Sequence, residues 1–321
     1  MLLQVLILIA GFIILIKGAD FLVSGASSAA KKYGISNLAI GLTVVAFGTS
    51  MPEFIVSLLA AVNGQNDASF GNVIGSNNFN LLFILGVTGA IYPLVVQKST
   101  VRFEIPISLL AAGGLYLLVN DGMVLGAEDN ILSRMDSVIL LLCFGAFLWY
   151  IYSTMSKSSG QDEENNIRMY SMPASIGMIV LGLTMLVGGG KLVVDSAISI
   201  AEHAGLSERL IGLTILAAGT SLPELATSVV AAFKRNTDIA IGNVVGSNIF
   251  NILFILGLTG LINPIPYNAA MNFDIYVLLG STVILMIFMF TLNRQKLDRW
   301  EALLLLAAYG AYTVMLINAE A

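Results

Sequence analysis

The chain is poor in charge, cysteine and histidine, and each shortage excludes a class of protein. Only 11% of its 321 residues are charged and 57% are hydrophobic, whereas roughly a quarter of a soluble domain is charged. The single cysteine, Cys143, excludes an internal disulfide framework, and the single histidine, His203, excludes a multi-histidine metal site. The net charge of −5 comes without a basic stripe, so we expect no nucleic-acid partner.

Apolar sequence is abundant, in runs of the length (about 20 residues) that a membrane helix needs. These runs predict an all-α polytopic membrane protein with ten transmembrane helices, embedded in the lipid bilayer of the cell (inner) membrane. The first run lacks the positive segment of a signal peptide, so we interpret it as a retained helix. We number the predicted spans 1 to 10, at roughly 2–24, 37–62, 69–92, 103–120, 133–154, 174–197, 208–233, 240–262, 271–291 and 300–318.

A long internal repeat divides the chain. The segments 41–86 and 212–257 are identical at 26 of 46 positions without a gap, at a constant offset of 171. We therefore predict a first five-helix repeat at 1–155, a linker at 156–172 and a second five-helix repeat at 173–321. Because five is odd, the second half enters the membrane in the opposite sense, and such inverted repeats are typical of secondary transporters.

The basic residues predict the orientation. If the loops alternate between the two sides, eleven basic residues fall on one side and only Arg134 and Arg209 on the other. Basic loops face the cytoplasm, so we predict that both termini lie outside and that the linker is cytoplasmic. The eleven are Lys31, Lys32, Lys98, Arg102, Lys157, Arg168, Lys234, Arg235, Arg294, Lys296 and Arg299.

The repeat carries polar chemistry at membrane depth. "GTSMPE" (48–53) and "GTSLPE" (219–224) each place a proline and a glutamate near the middle of a predicted span. A proline inside a helix frees a backbone carbonyl, and in a membrane that carbonyl must face protein or water. Ionisable groups at this depth are costly and are functional candidates. Glu53 and Glu224 therefore predict a site, to which Thr49, Ser50, Thr220 and Ser221 add hydroxyl oxygens.

A second motif pair follows, "GNVIGSNNFN" (71–80) and "GNVVGSNIFN" (242–251). Its glycines, four residues apart, let helix backbones approach closely. Asn72, Ser76 and Asn80 repeat every four residues and so share one helix face. Together the motifs predict an all-oxygen cluster with two negative charges, which suits hard cations such as Ca²⁺ and Na⁺.

The duplicated motifs resemble the two α-repeats of the cation/calcium exchanger superfamily, and the chain resembles its prokaryotic sodium/calcium exchangers over nearly the whole length. The resemblance implies a Na⁺/Ca²⁺ antiporter, with no cofactor, no enzyme activity and no protein partner. Glu53 and Glu224 would be shared ligands for both ions, and Thr49 and Thr220 would offer backbone carbonyls to Ca²⁺. Asn80 and Asn251 would line the middle, and spans 1 and 6 would slide across the other spans. The Na⁺ sites would be completed by Ala46, Ser50, Ser76, Ala217, Ser221 and Ser247.

Two details limit what the resemblance implies. Asn251 stands where prokaryotic relatives can carry aspartate, so this pocket holds two acids rather than three. Proton/calcium relatives have a "GNxxE" motif where this chain has "GTSxPE", which favours Na⁺ as the counter-ion. An H⁺/Ca²⁺ antiporter and a Ca²⁺-permeable channel remain alternatives. A membrane-embedded hydrolase is disfavoured because the motifs contain no nucleophile with a base and an orienting group.

Overall fold

The computed structural model describes residues 2–124, 129–154, 168–203, 217–291 and 294–320. Nearly all of these residues are helical, and four two-residue strands join them. The helices are α1 Leu2–Tyr33, α2 Asn37–Thr49, α3 Met51–Val62, α4 Asn66–Ile91, α5 Thr100–Val119, α6 Asp121–Val124, α7 Arg134–Thr154, α8 Met172–His203, α9 Ala217–Gly219, α10 Leu222–Phe233, α11 Thr237–Ile262, α12 Ala269–Phe288 and α13 Arg299–Glu320. The strands are β1 Leu94–Val95, β2 Ile131–Leu132, β3 Ile265–Pro266 and β4 Lys296–Leu297.

The helices confirm an all-helical polytopic membrane fold. Within the described residues, eight helices are long and apolar enough to cross a membrane, and the bent pair α2–α3 makes a ninth candidate. Predicted span 7 (208–233) begins outside the described residues. Its described part is the short helix α9 followed by α10, which is apolar but only 12 residues long. The other spans correspond in order to α1, α2–α3, α4, α5, α7, α8, α11, α12 and α13.

Local sequence explains where several helices begin and end. Helix α7 begins with a capping box in which the Ser133 backbone N–H donates to Asp136 Oδ2 at 2.9 Å and the Asp136 N–H donates to Ser133 Oγ at 3.3 Å. Ahead of α13, the Asp298 N–H donates to Glu301 Oε2 at 2.8 Å. Helix α1 ends at Gly34, whose φ of +65° suits glycine and stops the helix.

The four strands form two pairs that connect the two halves of the chain. Strand β1, which follows α4, pairs antiparallel with β4, which precedes α13. Strand β3, which follows α11, pairs antiparallel with β2, which precedes α7. The two connections are therefore of the same kind with the halves exchanged. The prediction of a purely α-helical chain missed these strands, because two residues are too short to show a periodic pattern.

Glycines allow the central helices to approach closely. A Cβ on Gly246 of α11 would lie 2.8 Å from Leu42 Cα and 2.9 Å from Ala46 Cβ of α2, and one on Gly242 would lie 3.0 Å from the Leu38 carbonyl oxygen. This confirms, for α11, that the four-residue glycine spacing serves close backbone packing. Helix α11 is almost wholly buried and α4 mostly so. These two helices therefore form the centre of the fold.

Helices α1 and α8 form a separate, more exposed pair. They pack along each other through glycines seven residues apart: a Cβ on Gly18 would lie 2.9 Å from the Gly182 carbonyl oxygen, and one on Gly189 would lie 3.0 Å from that of Gly11. Most of the apolar surface of both helices is exposed. In a membrane protein, a face of this composition contacts lipid.

Candidate ion-binding site

Both glutamates lie where a helix breaks. Helices α2 and α3 differ in direction by 47° across Ser50, whose ψ of 6° departs from helical geometry. Ser221, between α9 and α10, has nearly the same geometry with a ψ of 9°. Pro52 and Pro223 occupy the first turn of the helix that follows, where proline is tolerated because the first N–H groups have no intrahelical acceptor. The predicted mid-span break is confirmed in both copies.

The two breaks are joined by reciprocal hydrogen bonds. Ser50 Oγ donates to Glu224 Oε1 at 2.9 Å, and Ser221 Oγ donates to Glu53 Oε1 at 2.9 Å. Each glutamate is 1% exposed, and the charge of Glu224 acts on Glu53. The structure therefore brings together two carboxylates that lie 171 residues apart in the sequence, as the repeat predicts.

The threonines and two asparagines form a second symmetric set. Thr49 Oγ1 donates to Asn243 Oδ1 at 3.0 Å, and Thr220 Oγ1 donates to Asn72 Oδ1 at 3.2 Å. The amide of Asn72 donates in turn to the Glu53 carbonyl oxygen at 3.1 Å, as that of Asn243 does to the Glu224 carbonyl oxygen at 3.2 Å. The amides therefore hold the backbone of the residues that carry the carboxylates.

Four asparagines close the middle of the cluster between α4 and α11. Asn80 Nδ2 donates to Asn248 Oδ1 at 2.9 Å, and Asn251 Nδ2 donates to Asn77 Oδ1 at 2.9 Å. Asn77 and Asn248 each donate to the backbone carbonyl of the other at 3.2 Å. Sequence reasoning named Asn80 and Asn251 but missed Asn77 and Asn248. Their identity at the offset of 171 was the available signal.

The remaining predicted residues surround this cluster. Ala46 is fully buried, and its carbonyl oxygen accepts from the Ser50 backbone N–H at 3.0 Å. Ser247 Oγ donates to Glu224 Oε1 at 3.5 Å, whereas its counterpart Ser76 has no hydrogen-bond partner. Ala217 begins α9, and its side chain lies outside the described part of the chain.

Several buried oxygens of this cluster lack hydrogen-bond donors. A buried polar atom without a partner is rare because it forfeits its interaction with water. Neither ion pair found among the described residues involves Glu53 or Glu224, so no basic side chain there neutralises the two carboxylates. The oxygens without a partner are Glu53 Oε2, Glu224 Oε2, Asn80 Oδ1, Asn251 Oδ1 and Ser76 Oγ.

Fold and site define a multi-pass membrane protein with a buried, acidic cluster of carboxylate, amide and hydroxyl oxygens at two helix breaks. The profile of the family described as "Sodium/calcium exchanger protein" matches residues 3–153 and 174–318. The chain belongs to this sodium/calcium exchanger family, which is a family of membrane transporters and not of enzymes.

Individual relatives agree with this assignment. The sodium/calcium exchanger MaX1 of Methanosarcina acetivorans is 33% identical over 343 residues, covering 97% of each chain. The inner membrane protein YrbG of Escherichia coli (strain K12) is 38% identical over 274 residues, which are 82% of this chain and 81% of YrbG. A solved structure of the sodium-calcium exchanger NCX_Mj, soaked with zero Na⁺ and Ca²⁺, superposes with a TM-score of 0.82 at 32% identity, covering 98% of this chain and 99% of the other.

Proposed function

We propose that the chain is an antiporter that exchanges Na⁺ for Ca²⁺ at one shared site between Glu53 and Glu224. One observation carries the proposal: both carboxylates are buried together, and each keeps one oxygen without a hydrogen-bond donor. Two buried negative charges need compensation, and a bound cation supplies it without any basic side chain. Carboxylate, amide and hydroxyl oxygens are the ligands that Ca²⁺ and Na⁺ take.

The proposed ligands follow the geometry and the family. Glu53 and Glu224 bind either ion. The other proposed contributors are the backbone carbonyls of Thr49, Thr220, Ala46 and Ala217 and the side chains of Ser50, Ser221, Ser76, Ser247, Asn80 and Asn251. The oxygens without donors among them support this assignment, because they are free to face an ion.

We place this site in ten spans arranged as two inverted five-helix repeats, 1–155 and 173–321. The strand pairs support the inversion. If ten spans alternate, the loops that hold β1 and β4 lie on one side and those that hold β2 and β3 on the other, as their pairing requires. The excess of basic residues then puts β1 and β4 on the cytoplasmic side, together with the 156–172 linker, and both termini outside.

Charge explains how the two fluxes are coupled. A site with two negative charges is neutralised by one Ca²⁺ or two Na⁺, and a third Na⁺ leaves one net charge. Exchange of three Na⁺ for one Ca²⁺, as the family implies, would therefore be electrogenic, at about 2.3 kcal/mol per charge per 100 mV. Because both ions need the same carboxylates they compete, and a ligand shifts the access states only through its differential affinity. The proposed direction is Ca²⁺ out and Na⁺ in.

Flux in proteoliposomes tests the coupling. Vesicles loaded with Na⁺ should take up ⁴⁵Ca²⁺ only while the Na⁺ gradient is directed outward. An inside-positive potential should accelerate uptake, since one net positive charge leaves in each cycle. Uptake driven by a pH gradient instead would identify an H⁺/Ca²⁺ antiporter, and Ca²⁺ flux independent of any counter-ion would identify a channel.

Single substitutions test the assignment of the site. Glu53→Gln and Glu224→Gln should each abolish ⁴⁵Ca²⁺ uptake, because one remaining charge cannot balance a divalent ion. Asp67→Asn is the matched control, since Asp67 is an exposed acid whose contact is with the Asn268 side chain. Its uptake should stay near the wild-type rate. Exchange retained in either glutamine variant, with a normal size-exclusion profile, would refute the assignment.

A further inference from the structure

A third buried carboxylate lies outside the proposed ion site. Glu104, in the first turns of α5, is only 2% exposed. Tyr150 of α7 donates its hydroxyl to Glu104 Oε1 at 2.7 Å. The second oxygen, Glu104 Oε2, has no hydrogen-bond partner, and the same is true of Oγ1 of Thr100, which is 1% exposed. Thr100 lies one turn before Glu104, and its hydroxyl faces the carboxyl group.

The other half of the chain holds a related pair with a different environment. Asp274 of α12 accepts a hydrogen bond at 2.7 Å from Tyr312 of α13, and it stands in "NFDI" where Glu104 stands in "RFEI". Here Asn78 of α4 adds its amide, which donates to the Asp274 carbonyl oxygen at 3.0 Å and to the Tyr312 hydroxyl at 3.4 Å. The residue equivalent to Asn78 in α11 is Ile249, so the Glu104 pair lacks such a donor.

No cation balances Glu104 in the described part of the chain. The ion pairs found there are Lys234 with Asp20 and Lys296 with Asp298, and Arg102 lies on the exposed side of α5. The titratable group in contact with Glu104 is Tyr150. Asp238 of the neighbouring α11 accepts from Gln97 at 2.6 Å, and Tyr276 of α12 is bonded to Tyr116 at 2.9 Å. Two hydroxyl groups alone therefore face this buried carboxyl.

We propose that Glu104 is a proton-binding site, separate from the ion-binding carboxylates, at the membrane face where β1 and β4 pair. A neutral carboxyl group fits the surroundings: Oε1 accepts from Tyr150, and a proton on Oε2 can be donated to Thr100 Oγ1. A carboxylate would place an unbalanced charge between α5 and α7, which low-dielectric surroundings disfavour. Loss of the proton at alkaline pH should therefore loosen the contact between these two helices.

Infrared spectroscopy of the purified protein tests the proposal without reference to transport. At neutral pH the wild type should show a carboxylic-acid C=O band that shifts in D₂O, disappears reversibly at alkaline pH and is absent from Glu104→Gln. Asp274→Asn is the matched control and should leave this band in place. Identical wild-type and Glu104→Gln spectra in the carboxylic-acid region would overturn the proposal.

A second variant keeps the test informative should Glu104→Gln fold poorly. Tyr150→Phe retains the carboxyl group but removes one donor, so the band should remain and move to higher frequency. A band that does not move would contradict the assignment to Glu104. Wild-type melting temperature should also fall relative to that of Glu104→Gln as pH rises, because the folded protein holds this proton more tightly than the unfolded chain. Parallel pH profiles would equally overturn the proposal.

Discussion

At the scale of single residues, the two serines at the helix breaks act across the repeat. Ser50 donates to the glutamate of the second half and Ser221 to that of the first. A hydrogen bond to a charged group contributes about 1.5–3 kcal/mol, and its loss leaves the carboxylate free to reorient. The serines therefore fix the direction in which each Glu presents its other oxygen.

Removing either serine hydroxyl should weaken Ca²⁺ binding. We expect Ser50→Ala and Ser221→Ala each to lower the affinity by about tenfold, which corresponds to about 1.4 kcal/mol. The two effects should be alike because the contacts are symmetric. Calorimetric titration with Ca²⁺ measures them, and Ser281→Ala is the control, because Ser281 is buried but bonds only to the Leu278 carbonyl oxygen of its own helix. Unchanged affinity in both serine variants would contradict this role.

The sequence predicts which residues form the cluster but not how they pair. Duplication at one offset predicts that Glu53 and Glu224 meet, and the structure brings them together. The donors Ser50 and Ser221 lie 174 and 168 residues from their acceptors, so only the packing of the helices decides these partners. The Glu104 and Asp274 pairs escaped detection for a related reason. They follow an offset of 170 instead of 171, and their tyrosines lie on another helix.

At the scale of elements, the repeat's glycines set the distance between α2 and α11. Gly246 faces Leu42 Cα and Ala46 Cβ, and Ala46 lies on the turn before the break that carries Ser50. A change in helix separation at this point would therefore reach the site directly. Ser247, the next residue, bonds to Glu224.

A methyl group at Gly246 should force these helices apart. Gly246→Ala places a Cβ 2.8 Å from Leu42 Cα, so we expect a loss of about 1–3 kcal/mol of stability, as for other overpacked cores. Gly310→Ala in α13, where no described atom lies within 4 Å, should be neutral or stabilising, since alanine favours a helix by about 1 kcal/mol. Thermal unfolding of both variants checks this, and equal melting temperatures would show that the seam can yield.

Helix boundaries show where hydropathy fails. Span 1 was predicted to end near residue 24, yet α1 continues to Tyr33. The extension is rich in serine and alanine, and Ser27, Ser28 and Ala30 are buried against protein. Asn236 Nδ2 donates to Ser27 Oγ at 3.0 Å, and Ser175 Oγ donates to Ser28 Oγ at 3.0 Å. Hydropathy detects contact with lipid, so it misses helical residues that pack on polar neighbours.

At the scale of the whole molecule, α1 and α8 pack as a unit beside the more deeply buried helices. Polar contacts link this unit to the rest at one end. Lys234, just after α10, contacts Asp20 Oδ1 at 2.6 Å and Ser24 Oγ at 2.6 Å, and Asn236 contacts Ser27. If the unit slides during transport, as the family resemblance implies, these contacts must break in each cycle.

Crosslinks test the sliding directly. With Cys143 replaced, Ser27→Cys with Asn236→Cys should form a disulfide between α1 and the start of α11 that stops ⁴⁵Ca²⁺ exchange until it is reduced. Ser28→Cys with Ser175→Cys is the control, because that disulfide lies within the α1–α8 unit and should leave exchange intact. Full exchange through the first crosslink would show that this end of α1 stays in place.

The central claim is that Glu53 and Glu224 form one shared site, and Ca²⁺ calorimetry of the purified protein tests it most directly. The account predicts a single Ca²⁺ per chain, displaced by Na⁺, with binding lost in Glu53→Gln and in Glu224→Gln alike. Two independent Ca²⁺ sites, or a glutamine variant that retains wild-type affinity, would contradict it.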